Sequence, residues 1–247
     1  CEAAHAGLDI VAGLHTRLSS IATLVAAAER GGARLVDVRV PPPDLPIATG
    51  RRRSGRRLLT VGTDCALGKK YTALALERDL RAAGADADFR ASGQTGIMIA
   101  GRGVPIDCVV ADFVAGAAEV LSPDAEPQHW DVIEGQGSIF HPGYAPVSHG
   151  LLIGSQPDAF VVCHAADRTG IEGWPGFPAP SIDALIERTV AIGSLTNPAI
   201  RCVGISVNTQ SLDDETRDRY LQDLSDRHGL PAVDPMIHGT GAIVAAL

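Results

Sequence analysis

The sequence predicts an α/β fold, a parallel sheet with helices on both faces, and three observations lead to it. From residue 58 onward, short apolar segments of strand length alternate with segments of helix length, as in strands joined by right-handed crossover helices. Apolar residues make up 45% of the 247 residues and aromatic residues only 4%, so the core must be aliphatic, as in sheets buried on both faces. The first of these apolar segments runs directly into a glycine-rich loop that opens a helix.

The N-terminal part, residues 1–40, has the pattern of an incomplete α/β unit. Its predicted elements are a strand, a helix and a second strand, at residues 9–14, 21–30 and 34–40. Because two strands cannot bury both of their faces, we expect this unit to be the last part of a larger domain whose beginning is missing here.

A linker is predicted at residues 41–57, between the N-terminal unit and the main domain at 58–247. Three prolines stiffen its first part, and its second part is strongly basic through the arginines at positions 51, 52, 53, 56 and 57. We interpret the basic run as a solvated hinge, with a role in steering anions as the alternative.

The main domain is predicted to contain five strands and five helices. The strands lie at residues 58–61, 87–90, 131–134, 159–164 and 201–207, and the helices at 69–83, 106–121, 148–155, 182–193 and 213–228. Ser181 and Asp213 are suitable helix caps at the amino end, and Gly84 and Gly229 are suitable stops at the carboxyl end.

The loop after the first strand of the main domain is predicted to bind phosphate. Successive backbone N–H groups, the positive end of the following helix and a lysine all favour an anion there. The predicted ligand-binding residues are Gly62, Thr63, Asp64, Cys65, Ala66, Leu67, Gly68, Lys69, Lys70, Tyr71 and Thr72.

This loop departs from the common phosphate loop at the position that would bind a metal. Five residues rather than four separate Gly62 from Gly68. Lys70 follows Lys69, where nucleotide hydrolases have the Ser or Thr that ligates Mg²⁺. Thr72 points about 200° away from Lys70 on a helix of 3.6 residues per turn. We therefore predict a phosphate site without a metal.

A carboxylate is predicted to face the same crevice. Glu134 ends an apolar strand, just before the glycines of residues 135–137, and ligands of open α/β sheets bind at the carboxyl ends of the strands. The alternative is a solvent-exposed strand end. His141 and His149 follow in a Gly/Pro-rich stretch and are further candidates for acid–base chemistry.

A third group of polar residues follows the second strand of the main domain. Ser92, Gln94 and Thr95 are short donors suited to a carboxylate or a phosphate. Asp112 and Glu119 lie two turns apart on the predicted helix 106–121, so they share one of its faces; a solvated face is the alternative reading for both.

Charge and composition exclude several classes of protein. The net charge of −8 argues against a nucleic-acid partner, because such proteins carry a basic surface. No apolar run reaches the roughly 18 residues of a membrane helix, so no membrane partner is expected.

The five cysteines are scattered, which is typical of reduced thiols in the cytoplasm. We expect a cytoplasmic homo-oligomeric enzyme acting on a small molecule.

Four segments together resemble one specific family. GTDCALGKKYTALALE, GQTGIMIAG, PIDCVVADFVAGAAE and WDVIEGQGSIFHPGY are similar to the D-glutamate N-acetyltransferases, formerly an uncharacterised P-loop NTPase-like family, and the likeness covers nearly all of the chain. It implies a P-loop NTPase-like domain preceded by a Rossmann-like domain, of which residues 1–40 are the last part. It also implies transfer of an acetyl group from acetyl-CoA to the amine of D-glutamate or a similar amino acid.

The resemblance implies roles for the candidate residues. The loop and its two lysines would hold the phosphates of coenzyme A, and Glu134, or otherwise His149 or His141, would be the base. The backbone of residues 135–137 would stabilise the oxyanion. The residues expected to hold the amino-acid substrate are Ser92, Gln94, Thr95, Asp112 and either Arg90 or Arg102. An acyl intermediate on Cys65 is a less favoured option.

Two alternatives remain open at this point. The loop and the strand end at Glu134 are also similar to dethiobiotin synthetase, so a Mg-ATP-dependent kinase or ligase acting on a small carboxylate is the main alternative. There, Lys69 would contact the phosphates and Glu134 or Asp64 would hold Mg²⁺. A nucleotide-sensing switch is the third reading. Lys70 argues against both, since it stands where that ligase has Thr.

Overall fold

The structure, a computed structural model that describes residues 1–247, is built on a six-stranded parallel sheet. The strands of the chain are β1 Ile10–Ala12, β2 Leu35–Asp37, β3 Arg56–Gly62, β4 Ala87–Arg90, β5 Trp130–Ile133, β6 Ala159–Ala165, β7 Arg201–Asn208 and β8 Ala232–Val233. The main sheet has the order β4-β5-β3-β6-β7-β8, with every pairing parallel. The strand that carries the glycine-rich loop therefore lies in the middle of the sheet.

Helices cover both faces of this sheet, as predicted. They are α1 Glu2–His5, α2 Ala22–Gly31, α3 Lys69–Ala82, α4 Gln94–Ala100, α5 Val114–Leu121, α6 Ala145–Ser155, α7 Ile182–Gly193, α8 Asp214–His228 and α9 Gly241–Val244. One apolar core includes residues of α3 and α9, and the other includes residues of α5, α6, α7 and α8. None of the helices is long and apolar enough to cross a membrane.

The N-terminal unit is a small separate layer. β1 and β2 pair in parallel, and α2 packs on them in its own cluster of buried residues. α2 ends where Gly32 adopts a left-handed conformation with φ of 68°, as glycine does at helix ends. Val11 and Val36, one on each strand, are 52% and 40% exposed, as expected for a sheet of two strands.

The predicted helix 106–121 is wrong. The segment instead forms two 3₁₀ turns, Ile106–Cys108 and Ala111–Phe113, before α5 begins. Val109 and Val110 between the turns are extended, with ψ of 139° and 138°. β-Branched residues lose side-chain freedom in a helix, which favours this break.

The interpretation of the basic run as a solvated hinge is also wrong for two of its arginines. β3 begins at Arg56, two residues before the predicted start at 58. Arg57 is fully buried, and Arg53 is 6% exposed. Their guanidinium groups donate to backbone carbonyls, such as those of Ser122 and Pro123, so these side chains fasten the segment to the amino edge of the sheet.

Candidate active site

A cavity of about 650 Å³ opens at the carboxyl edge of the main sheet. Its residues come from the glycine-rich loop, the segments after β4 and β5, and the N-terminal unit. They are His15, Arg39, Cys65, Ala66, Leu67, Gly68, Lys69, Lys70, Tyr71, Gly93, Gln94, Thr95, Asp107, Glu134, Gly135, Gln136, Gly137, Tyr144 and Val147. Most of the predicted loop residues and Glu134 thus share one cavity.

The glycine-rich loop is held in a tight turn. Ala66 and Gly68 have φ of 54° and 98°, and Gly68 precedes the first residue of α3. The ammonium group of Lys69 donates to the carbonyl of Asp64 across the loop at 2.7 Å. Burial lowers the pKa of Lys69, because a charged group is less stable away from water.

Lys70 extends this positive wall of the cavity. Its ammonium group lies 4.2 Å from the ring centre of Tyr71, and it is only partly buried. Lys69 and Lys70 are the only lysines of the chain, whose other basic side chains are arginines and histidines. A compact ammonium group on a flexible stem suits phosphate oxygens approached from several directions.

Two hydroxyl groups of the loop region face the sheet and not the cavity. Thr72 is buried, and its Oγ1 lies 2.8 Å from Oγ of Ser206 on β7 and donates to the carbonyl of Gly68. Thr63 is fully buried, with its Oγ1 3.0 Å from Nδ1 of His164. The loop therefore presents backbone N–H groups and ammonium groups to the cavity, without these hydroxyls.

Glu134 also lines the cavity and is buried. Its Oε2 accepts hydrogen bonds from the backbone N–H groups of Ser92 and Gly93, both at 3.0 Å. A side chain at Gly96 would place its Cβ 2.2 Å from the same oxygen, so only glycine fits there. Burial raises the pKa of Glu134, and the hydrogen bonds and the two lysines offset only part of that effect.

The predicted substrate donors occupy different places. Gln94 and Thr95 line the cavity. Ser92 lies behind it, where its Oγ donates to the carbonyl of Glu134 at 2.6 Å. The N–H of Gly135 donates to Oγ1 of Thr60, so it is not available to an oxyanion.

The two candidate histidines are not on the cavity wall. His149 donates from Nδ1 to the carbonyl of Ala145 within its own helix. His141 is 1% exposed and stacks on Tyr144, with ring centres 4.4 Å apart. Its Nδ1 accepts from the backbone N–H groups of Gly143 and Tyr144, while burial lowers its pKa. The neutral ring therefore carries its proton on Nε2 and offers no free lone pair for a base.

One cluster near the loop resembles a metal ligand set. A carboxylate oxygen of Asp64, the sulfur of Cys65 and a ring nitrogen of His141 lie within 4.8 Å of one another. However, Asp64 already accepts from Arg168 at 2.6 Å and from the N–H of Glu172 at 2.8 Å. Nδ1 of His141 accepts from two backbone N–H groups and its Nε2 carries the proton, while burial raises the pKa of the Cys65 thiol. This donor set does not fit a divalent ion.

Three other predicted residues lie outside the cavity. Asp112 is exposed on the second 3₁₀ turn. Arg90 donates to the carboxylate of Asp131 at 2.6 Å, and Arg102 donates to Asp88 at 3.1 Å. None of the three is among the residues that line the cavity.

The sequence reasoning missed the contribution of the N-terminal unit. His15 and Arg39 of this unit line the cavity together with Asp107 of the main domain, and neither His15 nor Arg39 lies in a predicted motif. Arg39 follows the carboxyl end of β2 closely, and the rule that ligands bind at such ends would have found it.

Comparison with known proteins gives two family matches. A P-loop domain of unknown function, DUF1611_C, matches residues 46–244, and a Rossmann-like domain of unknown function, DUF1611_N, matches residues 1–41. These matches and the observed sheet confirm the predicted fold class.

Curated relatives and a solved structure match over the whole chain. A protein from Pseudoalteromonas sp, named D-glutamate N-acetyltransferase, is 51% identical over 100% of this chain and 74% of its own length. One of the same name from Tritonibacter scottomollicae is 48% identical with the same coverage. The crystal structure of a DUF1611 family protein from Anabaena variabilis is 36% identical, with a TM-score of 0.91 over 99% of this chain and 72% of that one.

Proposed function

The chain belongs to the DUF1611 family, and on that premise we propose that it transfers an acetyl group from acetyl-CoA to the amine of D-glutamate or a similar amino acid. The names of the two curated relatives support an acetyltransferase. The donor and the acceptor are our proposal.

The composition of the cavity is the observation that supports this function best. Lys69 and Lys70 lie on one wall and the buried carboxylate of Glu134 on another. Coenzyme A has a pyrophosphate and a ribose phosphate, and two ammonium groups with the loop amides are a suitable anchor for them. The Thr72 hydroxyl on α3 is hydrogen-bonded to Ser206, so this anchor relies on positive charge.

The residues of the chain can perform the proton transfer that amide formation needs. Acetyl-CoA supplies an activated acyl group as a thioester. The attacking amine must be unprotonated, and the raised pKa of Glu134 makes its carboxylate a stronger base than an exposed glutamate. Ser92 and Gly93 hold that carboxylate in place through Oε2. Gln136 and Gly137, which also line the cavity, are the remaining backbone candidates for the oxyanion.

A Mg-ATP-dependent kinase or ligase is less well supported by the same residues. Mg²⁺ in phosphate loops takes the hydroxyl that follows the lysine, and Lys70 stands there. Asp64, one of the two expected metal ligands, is engaged by Arg168 and by the N–H of Glu172. Of the two expected Mg²⁺ ligands, only Glu134 would then remain.

The proposal is tested with the purified chain, acetyl-CoA and D-glutamate in a buffer that contains EDTA. We expect N-acetylglutamate by mass spectrometry, in an amount that matches the coenzyme A released. L-Glutamate and a sample without an amine are the controls. Product in no sample would contradict the proposal, and ADP formed from Mg-ATP with a small carboxylate would favour the alternative.

A further inference from the structure

A charged pair between the N-terminal unit and the main domain lines the cavity and has no part in the proton transfer proposed for Glu134. Arg39 and Asp107 both line the cavity, and Nη1 of Arg39 lies 3.2 Å from Oδ2 of Asp107. The two side chains are only 13% and 22% exposed. The pair therefore joins the segment after β2 to the first 3₁₀ turn of the main domain.

This pair is incompletely satisfied. Arg39 contacts Asp107 and the ring of His15 through Nη1, while its Nε is buried without a hydrogen-bond partner. Oδ1 of Asp107 is also buried without a partner. Buried polar groups usually have partners, so an unpaired donor and an unpaired acceptor in one pair favour exchange with a ligand that carries the complementary groups.

The chemistry of the pair differs from that of the lysine wall. A guanidinium group binds a carboxylate through two parallel N–H donors, whereas an ammonium group acts as a point charge. Arg39 is the one arginine among the residues that line the cavity. Arg90 and Arg102, the arginines expected from the sequence, are bonded to Asp131 and Asp88. Asp107 adds an anion suited to an ammonium group.

We propose that Arg39 and Asp107 form the subsite for the acetyl acceptor, which binds a small amino acid with a free ammonium group and a second carboxylate. Arg39 binds a carboxylate of the acceptor, and Asp107 binds its ammonium group before deprotonation. The inference rests on the proposed function and deepens it. It assigns acceptor choice to the N-terminal unit and binding of the phosphorylated carrier to the loop after β3.

The test compares Arg39→Met with Arg30→Met in the full chain. Arg30 is an exposed arginine on α2 of the same N-terminal unit, which makes it the matched control. We expect Arg39→Met to raise KM for D-glutamate at least tenfold and to change the Kd of acetyl-CoA less than twofold. The preference for D-glutamate over D-norvaline, an amino acid of similar length without the second carboxylate, should also collapse. Asp107→Asn should raise KM for both amino acids alike.

Two outcomes would overturn the inference. An unchanged preference for D-glutamate in Arg39→Met would remove Arg39 from the acceptor subsite, and an equal loss of acetyl-CoA affinity would assign it to the carrier. If the wild-type chain transfers no acetyl group, the proposed function fails, and calorimetry with D-glutamate alone then decides the subsite. Equal binding by wild type and Arg39→Met would reject it, and weaker binding by Arg39→Met would support it.

Discussion

The amino and carboxyl edges of the main sheet both bury charged groups, but they differ in how completely those groups are hydrogen-bonded. At the amino edge, every guanidinium nitrogen of Arg57 donates to a protein acceptor, among them the hydroxyl of Ser122 and the carbonyl of Pro123. Asp131, 1% exposed, accepts from Ser122, Arg90 and His129. This edge holds Arg57 and Asp131 in a closed network, although Nη1 of Arg53 beside them is buried without a hydrogen-bond partner.

At the carboxyl edge the charges face a cavity and are only partly matched. Lys69 has a single carbonyl partner, Glu134 is bonded through one of its oxygens, and Arg39 and Asp107 each keep a buried atom without a partner. A buried charge is therefore not by itself a sign of function. Unfilled bonding capacity points to a candidate site where it gathers at a cavity, since single buried atoms without a partner also occur elsewhere, as on Arg53 and Arg217.

The largest effect is expected for Glu134→Gln, which tests the carboxyl edge. If Glu134 is the base, turnover should fall about 10²–10⁴-fold, because the amide cannot take a proton. Gln can still accept from Ser92 and Gly93, so affinity for acetyl-CoA should be unchanged. Steady-state kinetics and calorimetry measure the two. Normal turnover in this variant would remove Glu134 from the reaction.

The pH profile sharpens this prediction. The base must be ionised, and burial raises the pKa of Glu134, so turnover should fall with decreasing pH at a higher pH than for an exposed glutamate. The same shift means that the folded state favours the protonated form, so ionisation at neutral pH costs stability. Glu134→Gln should thus unfold at the same or a higher urea concentration than wild type at pH 7.

Arg57→Met tests the amino edge and should reverse the pattern. Removing this guanidinium leaves several buried carbonyls and the Ser122 hydroxyl without their donor, which should lower the free energy of unfolding by at least about 3 kcal/mol, because each buried acceptor without a partner costs about 1–3 kcal/mol. Arg56→Met is the control, because Arg56 is exposed beside the Trp130 ring. Urea unfolding gives the stability, and turnover per folded molecule should be close to that of wild type. A stable Arg57→Met protein without activity would contradict the structural role given to Arg57.

Lys69→Met probes a charge that is buried but poorly matched. Acetyl-CoA affinity should fall at least about tenfold, because a hydrogen bond to a charged group contributes about 1.5–3 kcal/mol. Stability should stay the same or rise, because burial lowers the pKa of Lys69 and the charge is costly there. Calorimetry and urea unfolding report on the two. An unchanged dissociation constant would exclude the loop from the carrier site.

The smallest effect is expected for a carboxylate away from both edges. Asp79 on α3 accepts from the N–H and hydroxyl of Thr240 at 2.6 and 2.7 Å. The Arg78 side chain and Thr240 hold its pKa at about 2, below the ordinary 3.8. Asp79→Asn should cost about 1 kcal/mol at pH 7, with exposed Asp223 as the matched Asn control.

The sign of the pH effect distinguishes this contact from a mere packing change. Because the folded pKa of Asp79 is depressed, its contribution is present above the unfolded value and disappears as the pH falls toward about 2. The difference in unfolding midpoint between wild type and Asp79→Asn should therefore shrink between pH 4 and pH 2. A difference independent of pH would contradict the role given to the charge.

Much of the fold follows from local patterns. The predicted strands 87–90 and 201–207 agree with β4 and β7 to within one residue, because apolar runs bounded by polar turns have few alternatives. The predicted helix 106–121 failed because the β-branched Val109 and Val110 are extended between two 3₁₀ turns. A helical spacing of apolar residues therefore did not outweigh the local preference of these two valines.

The candidate site was predictable only where the backbone itself carries the signal. Lys69 and Glu134 meet in one cavity because both follow strands whose carboxyl ends lie at the same edge. Other residues with equally suitable side chains do not face the cavity. Thr72 contacts Ser206 in the sheet, His141 stacks on Tyr144, and Ser92 donates to the carbonyl of Glu134. The direction of a side chain depends on the element packed against it, which spacing along the chain does not reveal.

The amino-acid sequence alone determined the alternation of strands and helices, the position of the loop and its two adjacent lysines, because each of these depends on residues close together in the chain. The tertiary structure decided which charges would be satisfied. It gave every guanidinium nitrogen of Arg57 an acceptor at one edge and brought Arg39 and Asp107 to the cavity at the other. Partners for a buried charge come from segments many residues apart, and only their packing shows which atoms remain free to bind a ligand.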